Sequence, residues 1–151
     1  MEMEREDVIH IWEQTEKDLA LMYSDPYDYL KGAGYAVDTF DPDPGLDIDP
    51  FLLLFLHHRD QDQYLFELRE KVVDSFFESV LEIIREQSLN DGEWNTFRYV
   101  FTIGTGGPHI EFTTDYEIRV YWASEKVESV TWNTDSRKMI DMIEDRLSEV
   151  Y

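Results

Sequence analysis

Three stretches of the chain gather residue types that can do chemistry. Asp41, Asp43, Asp47 and Asp49 are interleaved with Pro42, Pro44, Gly45, Leu46 and Ile48, an alternation of hard oxygen donors that resembles a calcium loop. Counted from Asp41, glycine falls at position five where an EF-hand loop has it at six, and Leu52 stands at position twelve in place of a bidentate glutamate. No metal is expected there. His57 and His58, followed by Arg59 and Asp60, could furnish a metal site or an acid/base pair, but adjacent histidines do not share a helix face and no HExxH-like spacing surrounds them. The glycine-rich run Gly104–His109 (GTGGPH) could turn several backbone N–H groups toward an anion. It lacks the Lys-Ser/Thr of a P-loop and the helix of a dinucleotide site, so it reads as a hairpin turn in which glycine supplies positive φ. There is no GxSxG elbow, and carboxylates are too numerous for one pair to stand out as catalytic. Neither an enzyme nor a cofactor is expected.

The carboxylates themselves are the dominant feature. The chain has 34 Asp or Glu against 13 Lys or Arg, a formal net charge of −21 and a pI near 4.3. Direct binding to nucleic acid or anionic lipid is opposed by such a charge. Residues 1–95 hold 24 acids and 7 bases, residues 96–151 only 10 and 6. Glu70, Asp74, Glu78, Glu82 and Glu86 recur at four-residue steps, which on one helix would form a single acidic ridge about 24 Å long. Like charges so spaced disfavour a helix by about 0.2–0.5 kcal/mol per pair. A solvated helix face accounts for the run without any function. Adaptation to high salt fits less well, because the acids are concentrated in one part of the chain and only four alanines are present. The functional alternative is imitation of a phosphate backbone. The ridge, with Asp41, Asp43, Asp47 and Asp49, would then occupy the basic groove of a nucleic-acid-binding protein.

The elements that must carry these residues can be read from periodicity. A length of 151 residues suits one domain, which at this size buries roughly 68–70% of its unfolded surface. Val8, Ile9, Ile11, Trp12, Leu19 and Met22 predict an amphipathic helix over about residues 4–22. Ser24-Asp25-Pro26 ends it. The breaker-rich stretch beyond predicts a loop, with a turn of helix at Tyr27–Lys31. Phe51–Leu56 is a short buried helix or strand that periodicity does not assign. Leu65, Leu68, Val72, Phe76, Val80 and Ile83 predict a long helix over residues 63–88, stopped near Asn90-Asp91-Gly92. After Gly92 the period becomes two. Phe97, Tyr99, Phe101 and Ile103, then Ile110 and Phe112, then segments 117–123 and 127–132 predict a four-stranded antiparallel meander over residues 97–132. Asp135 is placed as the cap of a last helix, residues 135–150. The fold expected is α+β, with helices on one face of the sheet: residues 1–95 mainly helical and acidic, 96–151 sheet plus helix.

Without cysteine, disulfides, thiolate metal sites and cysteine nucleophiles are excluded. The longest apolar run, Phe51–Leu56, is far short of a membrane span, and the acidic start of the chain opposes a basic signal peptide. A cytoplasmic location is expected.

The segment Val100–Phe112 (VFTIGTGGPHIEF), followed by Tyr121 and Trp122, resembles uncharacterised small proteins of plasmids and phages. These carry a strand, a Ser/Gly-Thr-Gly-Gly-Pro turn and a later strand with an aromatic-Trp pair. The resemblance spans about a third of the chain and implies no catalytic residue. It implies a mobile-element setting, in which small acidic proteins often block restriction or CRISPR defence; the acidic part lies outside it. The function expected is therefore a non-enzymatic inhibitor, anti-restriction or anti-CRISPR, whose partner is a basic nuclease or defence complex. The alternative is an interaction or regulatory domain without mimicry, contacting its partner through Tyr99, Tyr121 and Trp122. A small-molecule enzyme ranks third.

Overall fold

The structure, a computed structural model, describes residues 5–32 and 61–150. Asp41, Asp43, Asp47, Asp49, the run Phe51–Leu56 and the pair His57 and His58 lie outside the described residues.

Helix α1 (Arg5–Ser24) opens with Glu6 and Asp7 in its first turn, where carboxylates complement the positive end of the helix dipole. Asp25 then caps α2 (Pro26–Gly32): its Oδ1 accepts from the Asp28 N–H at 3.1 Å, and Pro26 occupies the first helical position, where its missing N–H costs nothing. The expected turn at Tyr27–Lys31 lies within this helix. The third described helix, α3 (Gln61–Ser79), ends well short of residue 88. Val80 N–H still donates to Phe76 O at 2.8 Å, but Leu81 N–H donates to Thr102 O at 2.9 Å, so the chain leaves the helix and enters the sheet within two residues.

The next element is a strand, in a stretch where periodicity predicts continued helix. Strand β1 (Glu82–Asn90) pairs antiparallel with β2 (Glu93–Gly104) through the two-residue turn Asp91-Gly92. Both turn residues have positive φ, 52° and 81°, the requirement of a tight hairpin turn that favours Asp-Gly. Val80, Ile83 and Ile84 satisfy helical spacing, but as β-branched residues they also suit a strand, and the ladder with β2 decides between the two. Strands β3 (His109–Thr113), β4 (Glu117–Trp122) and β5 (Glu125–Val130) complete a five-stranded antiparallel meander in the order β1-β2-β3-β4-β5. The four strands expected are β2–β5, and β1 is the addition.

Helix α4 (Thr134–Val150) closes the described fold. Its cap is Asn133, not Asp135: Asn133 Oδ1 accepts from the Ser136 N–H at 3.0 Å, while Asp135 sits in the first turn.

Phe101, Phe112 and Ile118 stand opposite one another on adjacent strands and are fully buried. Phe76 from α3 packs on them at 5.7 Å from both phenylalanine rings, which stack at 5.1 Å. Leu19, Met22, Leu30, Leu68, Val72, Met139, Ile140 and Ile143 join the same cluster, so all four described helices contribute to the core on one sheet face. Trp12 Nε1 donates to Ile118 O at 2.8 Å, fixing α1 across β4.

Candidate functional site: carboxylates held in pairs by arginine

The expected acidic ridge is not a single feature. Glu70, Asp74 and Glu78 lie on α3, whereas Glu82 and Glu86 lie on β1, where four residues span about 13 Å instead of one helical pitch. Glu70 and Asp74 are both engaged by Arg146 of α4, through Nη2 and Nη1 respectively. Lys71 Nζ adds a longer contact to Asp74 at 3.9 Å. Glu78 is exposed. The ridge is thus divided between a helix–helix clasp, a solvent position and a strand.

Residues alternate across a strand, so the face opposite Phe101, Phe112 and Ile118 carries their neighbours. There Thr102, Glu111, Arg119 and Glu128 form one row across β2–β5. Arg119 Nη1 donates to Glu111 Oε1 at 3.0 Å, and its Nε donates to Glu117. Burial opposes the charge on Arg119, but the hydrogen bonds to Glu117 and Glu111 outweigh it and hold its pKa above the ordinary value. Arg98 donates to Glu86 Oε2 at 2.7 Å and reaches Asp115 at 3.6 Å. The other oxygen of Glu111 pairs with His109 Nε2 at 3.0 Å. Tyr121 OH donates to Glu128 at 2.7 Å; burial and this bond raise its pKa, so it remains a phenol.

Arg98, Arg119 and Arg146 therefore each hold two carboxylates. A carboxylate fixed on arginine is held in one geometry and is suited to accepting further hydrogen bonds from an external cation. Among the described residues, no group of three or more His, Asp or Glu is arranged to hold a metal ion, and no helix is long and apolar enough to cross a membrane.

Tyr99, Tyr121 and Trp122 do not form a common surface. Tyr99 packs against the core, Tyr121 lies on the charged face, and Trp122, one residue on, points the other way. Trp122 instead meets the glycine turn: a Cβ on Gly107 would lie 3.7 Å from its ring. The glycine turn and the strand carrying Trp122 are thus placed to pack on each other. Sequence reasoning missed the arginine pairings because partners as distant as Glu70 and Arg146 leave no local signal. The cross-strand pairs could have been found once the register was known.

No protein-family model matches the chain, and neither the curated proteins nor the solved structures contain a significant match to it.

Proposed function

We propose that this chain is a non-enzymatic acidic inhibitor of a basic nucleic-acid-binding protein, such as a nuclease or a defence complex. It would act as a DNA or RNA mimic in an anti-restriction or anti-CRISPR role. The observation that carries the reading is the set of arginines that each hold two carboxylates, on a chain of net charge −21. The Arg98 and Arg119 clusters remain negative, whereas Lys71 balances the Arg146 cluster; in all three the carboxylates are pre-positioned, so less conformational freedom is lost when a partner's Arg or Lys binds them. A phosphate backbone presents the same combination of fixed geometry and uncompensated charge. The contact surface is the charged sheet face together with the α3–α4 flank, where Glu78 is exposed.

Capture from host extract on the immobilised chain, at about 0.05 and 0.5 M salt, followed by competition with duplex DNA for the recovered protein, tests the reading. A basic protein should be held at low salt and released at high salt, and one copy of the chain should block one copy of its nucleic-acid site. Turnover of many target molecules by one copy would overturn the proposal. So would loss of inhibition in a folded His10→Gln variant, since a binder of this kind needs no proton-transferring group.

A further inference from the structure

The β1–β2 hairpin continues beyond the region where the sheet supports it. Strand β3 pairs with β2 from Val100 to Gly104, whereas the β1–β2 ladder runs on past a bulge at Glu86/Gln87 to Asn90 and Glu93. The four residues Gln87–Asn90 carry it about 13 Å further. On this arm Leu89 and Trp94 stand directly opposite each other, and they are 56% and 64% exposed. Phe97, at the bulge, is 52% exposed. A cross-strand Trp–Leu pair presents a large apolar surface, yet here it lies outside the core cluster. A two-stranded ribbon gains independent stability only by packing against something else. The charges on the arm indicate what that partner is. Between Glu86 and Phe97 the acids are Asp91 at the tip and Glu93 on the ribbon's other face, with no lysine or arginine until Arg98 beside Phe97, so the outer end of the arm is acidic, on a chain of net charge −21. A second copy would bring like charge to the same place within a Debye length of about 8 Å.

We propose that the β1–β2 arm is the docking element for a basic protein partner, whose apolar groove takes Trp94 and Leu89 while its cations meet Asp91 at the tip and reach Glu93 on the ribbon's other face. This deepens the inhibitor reading by naming where the partner anchors, and the partner's basic character rests in part on that reading. Aromatic residues surrounded by polar groups are the usual anchors of protein interfaces, and complementary charge around them speeds encounter and excludes wrong partners.

The test uses the full chain carrying Phe97→p-benzoylphenylalanine, photolysed in host cells, with the crosslinked protein identified and then purified for binding measurements. A basic protein should be captured, with its crosslink beside an apolar groove. Trp94→Ser should weaken its binding roughly 30-fold, the loss expected for a hot-spot tryptophan. Glu93→Lys should weaken it in a salt-dependent way, and Trp132→Ser, at a site 79% exposed and outside the arm, should change nothing. Crosslinks to a second copy, within the same chain, to an acidic protein or to none would overturn the inference, as would unchanged binding by Trp94→Ser. A basic partner with no nucleic-acid activity would leave the arm's role standing and refute the inhibitor reading. Unchanged binding by Trp94→Ser, with DNA competition intact, would do the reverse.

Discussion

Arg146 Nη2 donates a hydrogen bond to Glu70 Oε2, joining α4 to α3 across 76 positions of chain. Its Nη1 does the same for Asp74, so one guanidinium fixes the relative position of two helices that otherwise meet mainly through apolar side chains. The carboxylates that look most like a binding ridge in the sequence are partly structural.

Replacing Glu70 by Lys should therefore destabilise the fold by roughly 1–2 kcal/mol, because it removes one half of the clasp and sets a cation beside Arg146. Glu78→Lys, at an exposed position, should change stability by no more than about 0.5 kcal/mol. Urea denaturation of the two variants checks the contrast, and Arg146→Glu in the Glu70→Lys background should recover part of the loss. Equal stability of the two single variants would mean that the clasp holds nothing.

Gly106 has φ of 87°, as the glycine-turn reading requires, whereas Gly107 does not share that conformation. Gly106→Val should cost about 1–2 kcal/mol through backbone strain. Gly107→Ala places its Cβ at ordinary contact distance from Trp122, 3.7 Å, and should be close to neutral. Thermal unfolding distinguishes the two.

Ala123, in the turn between β4 and β5, has φ of 54°. Ala123→Gly relieves a left-handed alanine and should raise stability by about 0.5–1 kcal/mol. A lower denaturation midpoint would show that the alanine methyl makes a contact worth more than the strain.

Glu144 has its carboxyl pushed above the ordinary range by burial and then by Asp141, Asp145 and Asp115. A raised folded pKa means that the native state holds the proton more tightly than the unfolded chain. The associated stability is present below the unfolded value and is lost as pH rises through the folded one. Glu144→Gln should accordingly be more stable than the parent at pH 7, by about 0.2–0.5 kcal/mol from the Asp141 pair alone. The gap should narrow as pH falls toward the ordinary carboxylate range. Denaturation midpoints across that range give the sign, and a gap that widens on acidification would contradict it.

Much of the fold is legible from local pattern. Val8, Trp12, Leu19 and Met22 lie on the inward side of α1 because a 3.6-residue period leaves no other stripe to bury. Phe101 and Phe112 share a face because side chains alternate along a strand. The exchange of helix for strand at residues 80–88 is not legible, since Val80, Ile83 and Ile84 satisfy helical spacing as well as strand preference. The Asp91-Gly92 pair, which suits a helix stop, is the local sign of a hairpin. Asp135 and Asn133 are both acceptable caps by residue type; the hydrogen bond from Ser136 N–H distinguishes them.

Composition and periodicity by themselves determined an α+β chain with three of its described helices, β2–β5 in meander order, a glycine turn with positive φ, and a large negative charge. These properties depend on the chain a few residues at a time. Tertiary structure alone decided that β1 is a strand, that Arg146 claims Glu70 and Asp74, and that Leu89 and Trp94 are left at the surface. Each of these depends on which distant segment is available as a partner: Thr102 for Leu81, α4 for α3, and β3 ending its pairing at Val100. Hydrogen bonds and ion pairs act across space, so the same residue types can be ridge, clasp or strand face according to what the fold sets beside them.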